Sequence, residues 1–296
     1  MAGEGRPPGE FVEVDGVVLH VVRDGRGDGP TVVVTSGLGG AWCDWDLVAP
    51  ELGRDCQVVR FDRPGLGFSA PDPAPRTLDG EAGRIASLVA RLGVRGPYVL
   101  VAHSFSAFHV EAFARLFPAQ VAGLVLVDPS VEASPRARPG RETRVKAARA
   151  AGAAFRVTGL SRPVGPALRW LAVFALSRRG RDVADPRWAR KAYGSGRFLA
   201  AAFAENTVYR DQAVELVALR KRCALPDVPL RVLAGAGGRE TLAVRARWLR
   251  AQRTLADLAP RGRCDVLDDA AHLVMMDRPD AVIAAVREVL AEAKPA

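Results

Sequence analysis

Short, bulky apolar runs recur along the first 130 residues, and most are followed by a polar loop and then by apolar positions at helical spacing. Phe11–Gly25, FVEVDGVVLHVVRDG, reads as two strands joined at Asp15-Gly16, a pair suited to a two-residue hairpin turn. TVVVTSG, CQVVRFD (Cys56–Asp62), Tyr98–Val101 and GLVLVDPS (Gly123–Ser130) read as strands buried on both faces. Between them, Ile85, Leu88, Val89 and Leu92 mark an amphipathic helix, and Ala107, Val110, Ala114 and Phe117 a second, ended by Pro118. The spacing over Trp45–Leu52 specifies no element. From Val131 to about Pro229 the pattern predicts only Ala/Arg-rich helices broken by Pro and Gly. Alternation resumes with LRVLAG (Leu230–Gly235), a helical stripe at Val244, Trp248, Ala251, Leu255 and Leu258, a strand at CDVL, and a last helix from near Pro279.

Regular strand–helix alternation predicts an α/β fold, a mostly parallel central sheet with helices on both faces. The interruption predicts three segments: a first part of the core at 1–130, a helical lid inserted at 131–228, and the second part of the core at 229–296.

Composition narrows the function classes. A chain of 296 residues with 49% hydrophobic residues has ample material for a packed core. The start, MAGEGRPPGEF, has no apolar leader segment, and the longest compact apolar run, Leu168–Leu176, is too short to span a bilayer; the expected compartment is the cytoplasm. The net charge is +9, and 38 of the 42 basic residues are arginine, spread over helices and loops among abundant Ala and Gly. With no nucleic-acid-binding motif beside it, this excess reads as coding bias, and no specific nucleic-acid partner is expected. Cys43, Cys56, Cys223 and Cys264 lack metal-ligand or disulfide spacing and read mainly as small buried residues; neither a metal nor a cofactor is expected.

The chemistry starts at Ser104. Ala102-His103-Ser104-Phe105-Ser106 lies between a buried strand and a helix, where a sharp turn exposes a serine above the sheet. Such a turn leaves room only for small residues on either side, here Ala102 and Ser106. A plain helix cap would also place a serine here, but does not require small residues two places away on both sides. A serine nucleophile needs a base. His20 falls inside the hairpin and reads as a surface or packing residue, His103 as pointing away from Ser104, and His109 as structural. His272 lies in the loop after the last strand, at the sheet edge where ligands of open α/β sheets gather. An oxyanion requires fixed N–H donors, and those of Phe105 and of Leu38, in the loop Ser36-Gly37-Leu38-Gly39-Gly40, are the candidates.

Taken together, these segments resemble the α/β-hydrolase fold superfamily. VTSGLGG resembles its H-G-x-G loop with Ser36 in place of histidine, VVRFDRPGLGFSA its D-x-P-G-x-G-x-S segment, VLVAHSFSA its nucleophile elbow, and AAHLVMMDRPDAV its catalytic-histidine region. The resemblance covers about 10–130 and 229–295. It implies a serine hydrolase acting on a small-molecule ester or related acyl substrate, with Ser104 as nucleophile, His272 as base and the Leu38 and Phe105 N–H groups as oxyanion donors. The acid of the triad departs from the usual pattern: glycine stands after the post-lid strand where aspartate is expected. Asp128, at the end of the preceding core strand, is the favoured alternative and Glu240 the reserve, while Asp268 and Asp269 are too close in sequence to His272. Trp170 and Phe203 in the lid are candidate substrate contacts or, equally, parts of the lid's own core. Acyl transfer, C–C hydrolysis, cofactor-free haloperoxidation and a non-enzymatic ligand-binding or regulatory role on the same fold remain open, as does the oligomeric state.

Overall fold

The computed structural model describes residues 5–27, 29–132, 134–238 and 240–293; the extreme ends of the expected core segments, residues 1–4 and 294–296, lie outside them. The strands are β1 (Glu10–Val14), β2 (Val17–Asp24), β3 (Thr31–Thr35), β4 (Gln57–Phe61), β5 (Tyr98–His103), β6 (Val121–Val127), β7 (Leu230–Gly235) and β8 (Gly262–Leu267). They form one sheet in the order β1-β2-β4-β3-β5-β6-β7-β8. The first hairpin and the β2–β4 pair are antiparallel, and every other pairing is parallel. The hairpin turns at Asp15-Gly16 with both residues at positive φ, 50° and 75°, as a tight twisted turn requires.

The helices are α1 (Ala49–Leu52), α2 (Leu78–Leu92), α3 (Ala107–Leu116), α4 (Arg141–Val157), α5 (Ser161–Leu176), α6 (Pro186–Tyr193), α7 (Gly196–Arg222), α8 (Leu242–Ala256), α9 (Val274–Asp277) and α10 (Pro279–Glu292). The segment around Trp45–Leu52, where the pattern specified nothing, holds a 3₁₀ turn at Trp42–Trp45 and the one-turn helix α1. Such short elements carry too few residues to show a period. Four helices, α4 to α7, are inserted between β6 and β7.

Alternate residues of each central strand serve different cores, which explains the continuous apolar runs. Val33, Leu100, Leu124 and Val232 pack with Ile85, Leu88 and Phe113 of α2 and α3 and with Leu255 of α8. Val32, Val34, Val99, Val101 and Val125 face the other way, against Leu52 and against Val282, Val286 and Val289 of α10. Helix ends are fixed locally. The Thr77 hydroxyl accepts from the Gly80 N–H at the start of α2, and Gly93 closes that helix in the left-handed region. Ser195 and Thr241 cap α7 and α8 in the same way as Thr77.

The inserted helices join the rest through close contacts. In α4, Gly152 faces Ala200 of α7 so tightly that a Cβ on Gly152 would lie 2.3 Å from the Ala200 Cα. Replacing a mid-helix glycine by alanine ordinarily stabilises by about 1 kcal/mol through helix propensity. Here the obstruction is backbone, and overpacking costs roughly 1–3 kcal/mol. Gly152→Ala should therefore destabilise the protein, seen as a lower urea midpoint; a higher midpoint would show that α4 and α7 separate freely.

Candidate active site

Ser104 follows β5 directly, at φ 52°, a left-handed backbone that non-glycine residues seldom adopt. The parallel partners β3 and β6 hold β5 on both sides, and the 3₁₀ turn at Ser104–Ser106 runs straight into α3. Ser106 is fully buried, and its hydroxyl bonds the carbonyls of Thr35 (3.0 Å) and His103 (2.9 Å), so the small residue also ties the turn to β3. Gly37 passes so close that a Cβ there would sit 2.6 Å from His103 Nδ1 and 3.2 Å from Ser104 Cβ. Only glycine fits at that point of the loop.

Three side chains from different parts of the chain meet above this edge. The Ser104 hydroxyl lies 3.0 Å from His272 Nε2, and His272 Nδ1 lies 2.6 Å from Asp128 Oδ2. Asp128 directly follows β6 at φ 40°, also left-handed. Its other oxygen, Oδ1, accepts from the Gly235 N–H at 2.9 Å and from Trp248 Nε1 at 3.0 Å. The carboxylate is thus buried and fixed by three hydrogen bonds. Glu240 is exposed, with its carboxylate folded over Gly238, and Asp269 pairs with Arg278 at 2.8 Å. The glycines at and after the end of β7 have a steric cause: a Cβ at Gly235 would come within 2.3 Å of the Ala271 carbonyl, and one at Gly237 within 2.6 Å of the Asp268 carbonyl. The loop bearing His272 packs too closely there for side chains.

Of the other histidines, His103 differs from expectation. His103 does not point away from the site: its ring lies 4.7 Å from that of His272, and its Nε2–H donates to the His272 carbonyl at 2.9 Å. Burial, then the charge of His272, pushes its pKa well below the usual histidine range, so it stays neutral. The loop that bears His272 folds over it. His20 is fully buried, bridging Asp62 and the Pro8 carbonyl at 2.8 Å each. His109 bonds Gln212 of α7 at 2.8 Å.

A cavity of about 480 Å³ opens over Ser104 and His272. Leu38 and Gly39 of the β3 loop form one side, and α5 and α7 the other, through Leu168, Val173, Phe198 and Phe203. Phe203 lies in this wall. Trp170 does not: α5 turns Leu168, Ala172 and Leu176 toward the cavity, and Trp170, two residues from Leu168 and hence about 200° around the helix, faces solvent at 62% exposure. The polar end of the cavity holds Arg169, which pairs with Asp44 and Asp182 and bonds Tyr193 at 2.7 Å. Its charge is already matched. Ser36, standing where the resembling loops carry histidine, donates to the Ala41 carbonyl (2.8 Å) and accepts from Trp45 Nε1 (3.1 Å).

One feature escaped the sequence reading. Arg63 and Glu205, both buried, pair at 2.7 Å. Arg63 donates to the carbonyls of Ser36 and of Gly37 (2.7 Å for the latter), and Glu205 accepts from the Gly39 N–H at 2.9 Å. This pair clamps the glycine loop beside Ser104 to α7. Arg63 lies in the DRPGLG segment, but its partner is 142 residues away in a helix with no distinguishing motif.

Residues 32–285 match the profile of the alpha/beta hydrolase family, and the chain belongs to that family. It is similar to the uncharacterized protein YqjL of Bacillus subtilis, 28% identical over 118 residues that make up 40% of this chain and 47% of YqjL. It is also similar to the lipase LipV of Mycobacterium tuberculosis, 35% identical over 113 residues, 38% of this chain and 42% of LipV. The chain thus spans less than half the length of these relatives. Among solved structures, a thermophilic esterase from Thermogutta terrifontis has the same fold, with a TM-score of 0.69 at 23% identity, covering 97% of this chain and 99% of that one.

Burial alone would raise the Glu205 carboxyl, but the charges and hydrogen bonds of Arg63, with Arg76, outweigh it and hold the pKa at about 2 instead of near 4.5. The carboxylate's contribution to stability is therefore complete above pH 4.5 and lost as the pH falls toward 2. Glu205→Gln should cost about 3–5 kcal/mol at neutral pH by leaving Arg63 buried without its partner. It should also flatten the acid limb of the stability profile, measured by urea unfolding across that range. Superimposable profiles for the two proteins would rule out this role.

Proposed function

We propose that this chain is a serine hydrolase that cleaves an ester or related acyl substrate through an acyl-enzyme on Ser104. The observation that carries this reading is the continuous Ser104–His272–Asp128 hydrogen-bond chain at the floor of an apolar cavity. Ser104 Oγ attacks the acyl carbonyl as His272 Nε2 takes its proton. Asp128 holds the Nδ1–H side of the imidazole, fixing the tautomer and stabilising the imidazolium. The N–H of Phe105, in the first turn leading into α3, and that of Leu38 receive the oxyanion. His272 then returns the proton to the leaving alcohol, and afterwards activates a water molecule that releases the acid. The glycine-loop clamp by Arg63 and Glu205 supports this assignment, because an oxyanion site must be rigid before the charge develops. The inserted helices α4–α7 serve as the lid, and their apolar side chains at the cavity suit an uncharged acyl chain.

Ser104→Ala should abolish labelling by a fluorophosphonate probe and lower ester turnover by roughly 10⁶-fold, with an unchanged unfolding midpoint. Normal turnover in pure variant protein would remove the proposal. Asp128→Asn should lower kcat by about 10⁴-fold, whereas Glu240→Gln should leave it near normal; the reverse outcome would transfer the acid role to Glu240.

Phe203→Ala enlarges the cavity and should shift preference among p-nitrophenyl esters toward longer acyl chains by about 10-fold or more in kcat/KM. An unchanged chain-length profile would place the acyl group elsewhere.

A further inference from the structure

Helix α5 is apolar on two opposite faces. One face, with Leu168, Ala172, Val173 and Leu176, lines the cavity. The other carries Leu160, Pro163, Ala167, Trp170, Leu171 and Phe174 at spacings of three and four residues, and all six are exposed. Trp170 is 62% exposed, Leu171 53%, and Val157, at the corner before the helix, 82%. The Trp170 and Phe174 rings stack 5.5 Å apart and 12° from parallel, forming a flat aromatic plate. A helix resting on a protein in water turns its polar side outward. This one turns outward leucine and tryptophan, and a contiguous apolar patch of that kind marks an interaction surface.

The charge around the patch identifies its occupant. Residues 156–191 hold nine basic side chains against two acidic ones. One of the nine, Arg169, is buried with Asp44 and Asp182, and the other eight are exposed. A second copy of this chain docking through the same face would bring those cations against their own counterparts. An anionic lipid surface satisfies both the apolar stripe and its basic border.

We propose that the outward face of α5 docks this protein on an anionic lipid surface, with Trp170 and Leu171 in the interfacial layer and the flanking arginines on the headgroups. The helix lies on the surface and does not cross it: 16 residues extend about 24 Å, and among the described residues no helix is long and apolar enough to span a membrane. Leu168 and Leu176 are at once exposed and part of the cavity wall, so the cavity rim adjoins the docked face. For a lipid-dissolved acyl substrate this provides a route into the cavity that avoids water, a consequence that rests on the hydrolase reading; docking itself does not.

The test is co-sedimentation of the full chain with vesicles of equal parts phosphatidylglycerol and phosphatidylcholine, and with phosphatidylcholine vesicles alone, at low and high salt. The protein should bind the anionic vesicles, bind phosphatidylcholine weakly, and lose affinity as salt rises. The double variant Trp170→Gln/Leu171→Gln, with an unfolding midpoint matching the parent, should bind the anionic vesicles at least about tenfold more weakly. Failure of the parent to bind would overturn the proposal. Equal binding by both proteins would reduce it to charge adsorption and overturn the role of the apolar face. A dimer of the parent in sedimentation velocity, dissolved by the double variant, would give that face to a second copy instead. None of these readouts depends on turnover, so they stand apart from the fate of the Ser104 assignment.

Discussion

Ser104 is held at φ 52° between a strand buried on both sides and the first turn of a helix, and the sheet edge is built around that backbone. Such a conformation costs on the order of 1–3 kcal/mol and persists only where its surroundings leave no alternative. Here they leave none: Ala102 and Ser106 are fully buried, Ser106 is bonded to two carbonyls, and Gly37 presses against the turn from the β3 loop. Asp128 repeats the arrangement on the next strand, again left-handed and again fixed by hydrogen bonds to its side chain. Two strained residues at the ends of adjacent parallel strands thus define where His272 can sit.

The second constraint is electrostatic. Removing Arg63 and Glu205 from water costs several kcal/mol per ion, offset by mutual attraction and by the hydrogen bonds each makes to the glycine loop. Because Glu205 belongs to α7, the helices over the cavity and the backbone beside Ser104 are held by the same pair. The inserted helices are therefore coupled to the sheet edge that carries Ser104 and not merely laid across it. On their outer side, α5 presents the apolar stripe, within a stretch, 156–191, that carries eight exposed basic side chains.

Periodicity was sufficient for the fold. Strands buried on both faces must be apolar at every position, and amphipathic helices must repeat near 3.6 residues, so both left clear marks in VVVT, YVLV, LVLV and the Ile85 and Val282 helices. Ser104 and His272 were also legible, since each sits in a local setting that the elbow and the last loop impose on neighbouring residues. The one-turn helix at Ala49–Leu52 was not, for want of a full period.

What the chain could not show on its own depends on distances between remote segments. The sequence favoured Asp128 over Glu240 without placing either beside His272, because that depends on how β6 and the loops after β7 and β8 meet: Asp128 Oδ2 comes to 2.6 Å from His272 Nδ1, while the Glu240 carboxylate lies over Gly238. Trp170 and Phe203 looked alike as lid aromatics until the rotation of α5 and the crossing of α7 put one in water and the other in the cavity wall. Glu205 carries no local signal, since a carboxylate within a long helix is ordinary until the fold buries it against Arg63. Short-range preferences, written in residue spacing, were set by the sequence; close approach, burial and charge pairing between distant segments were decided only when the chain was packed in three dimensions.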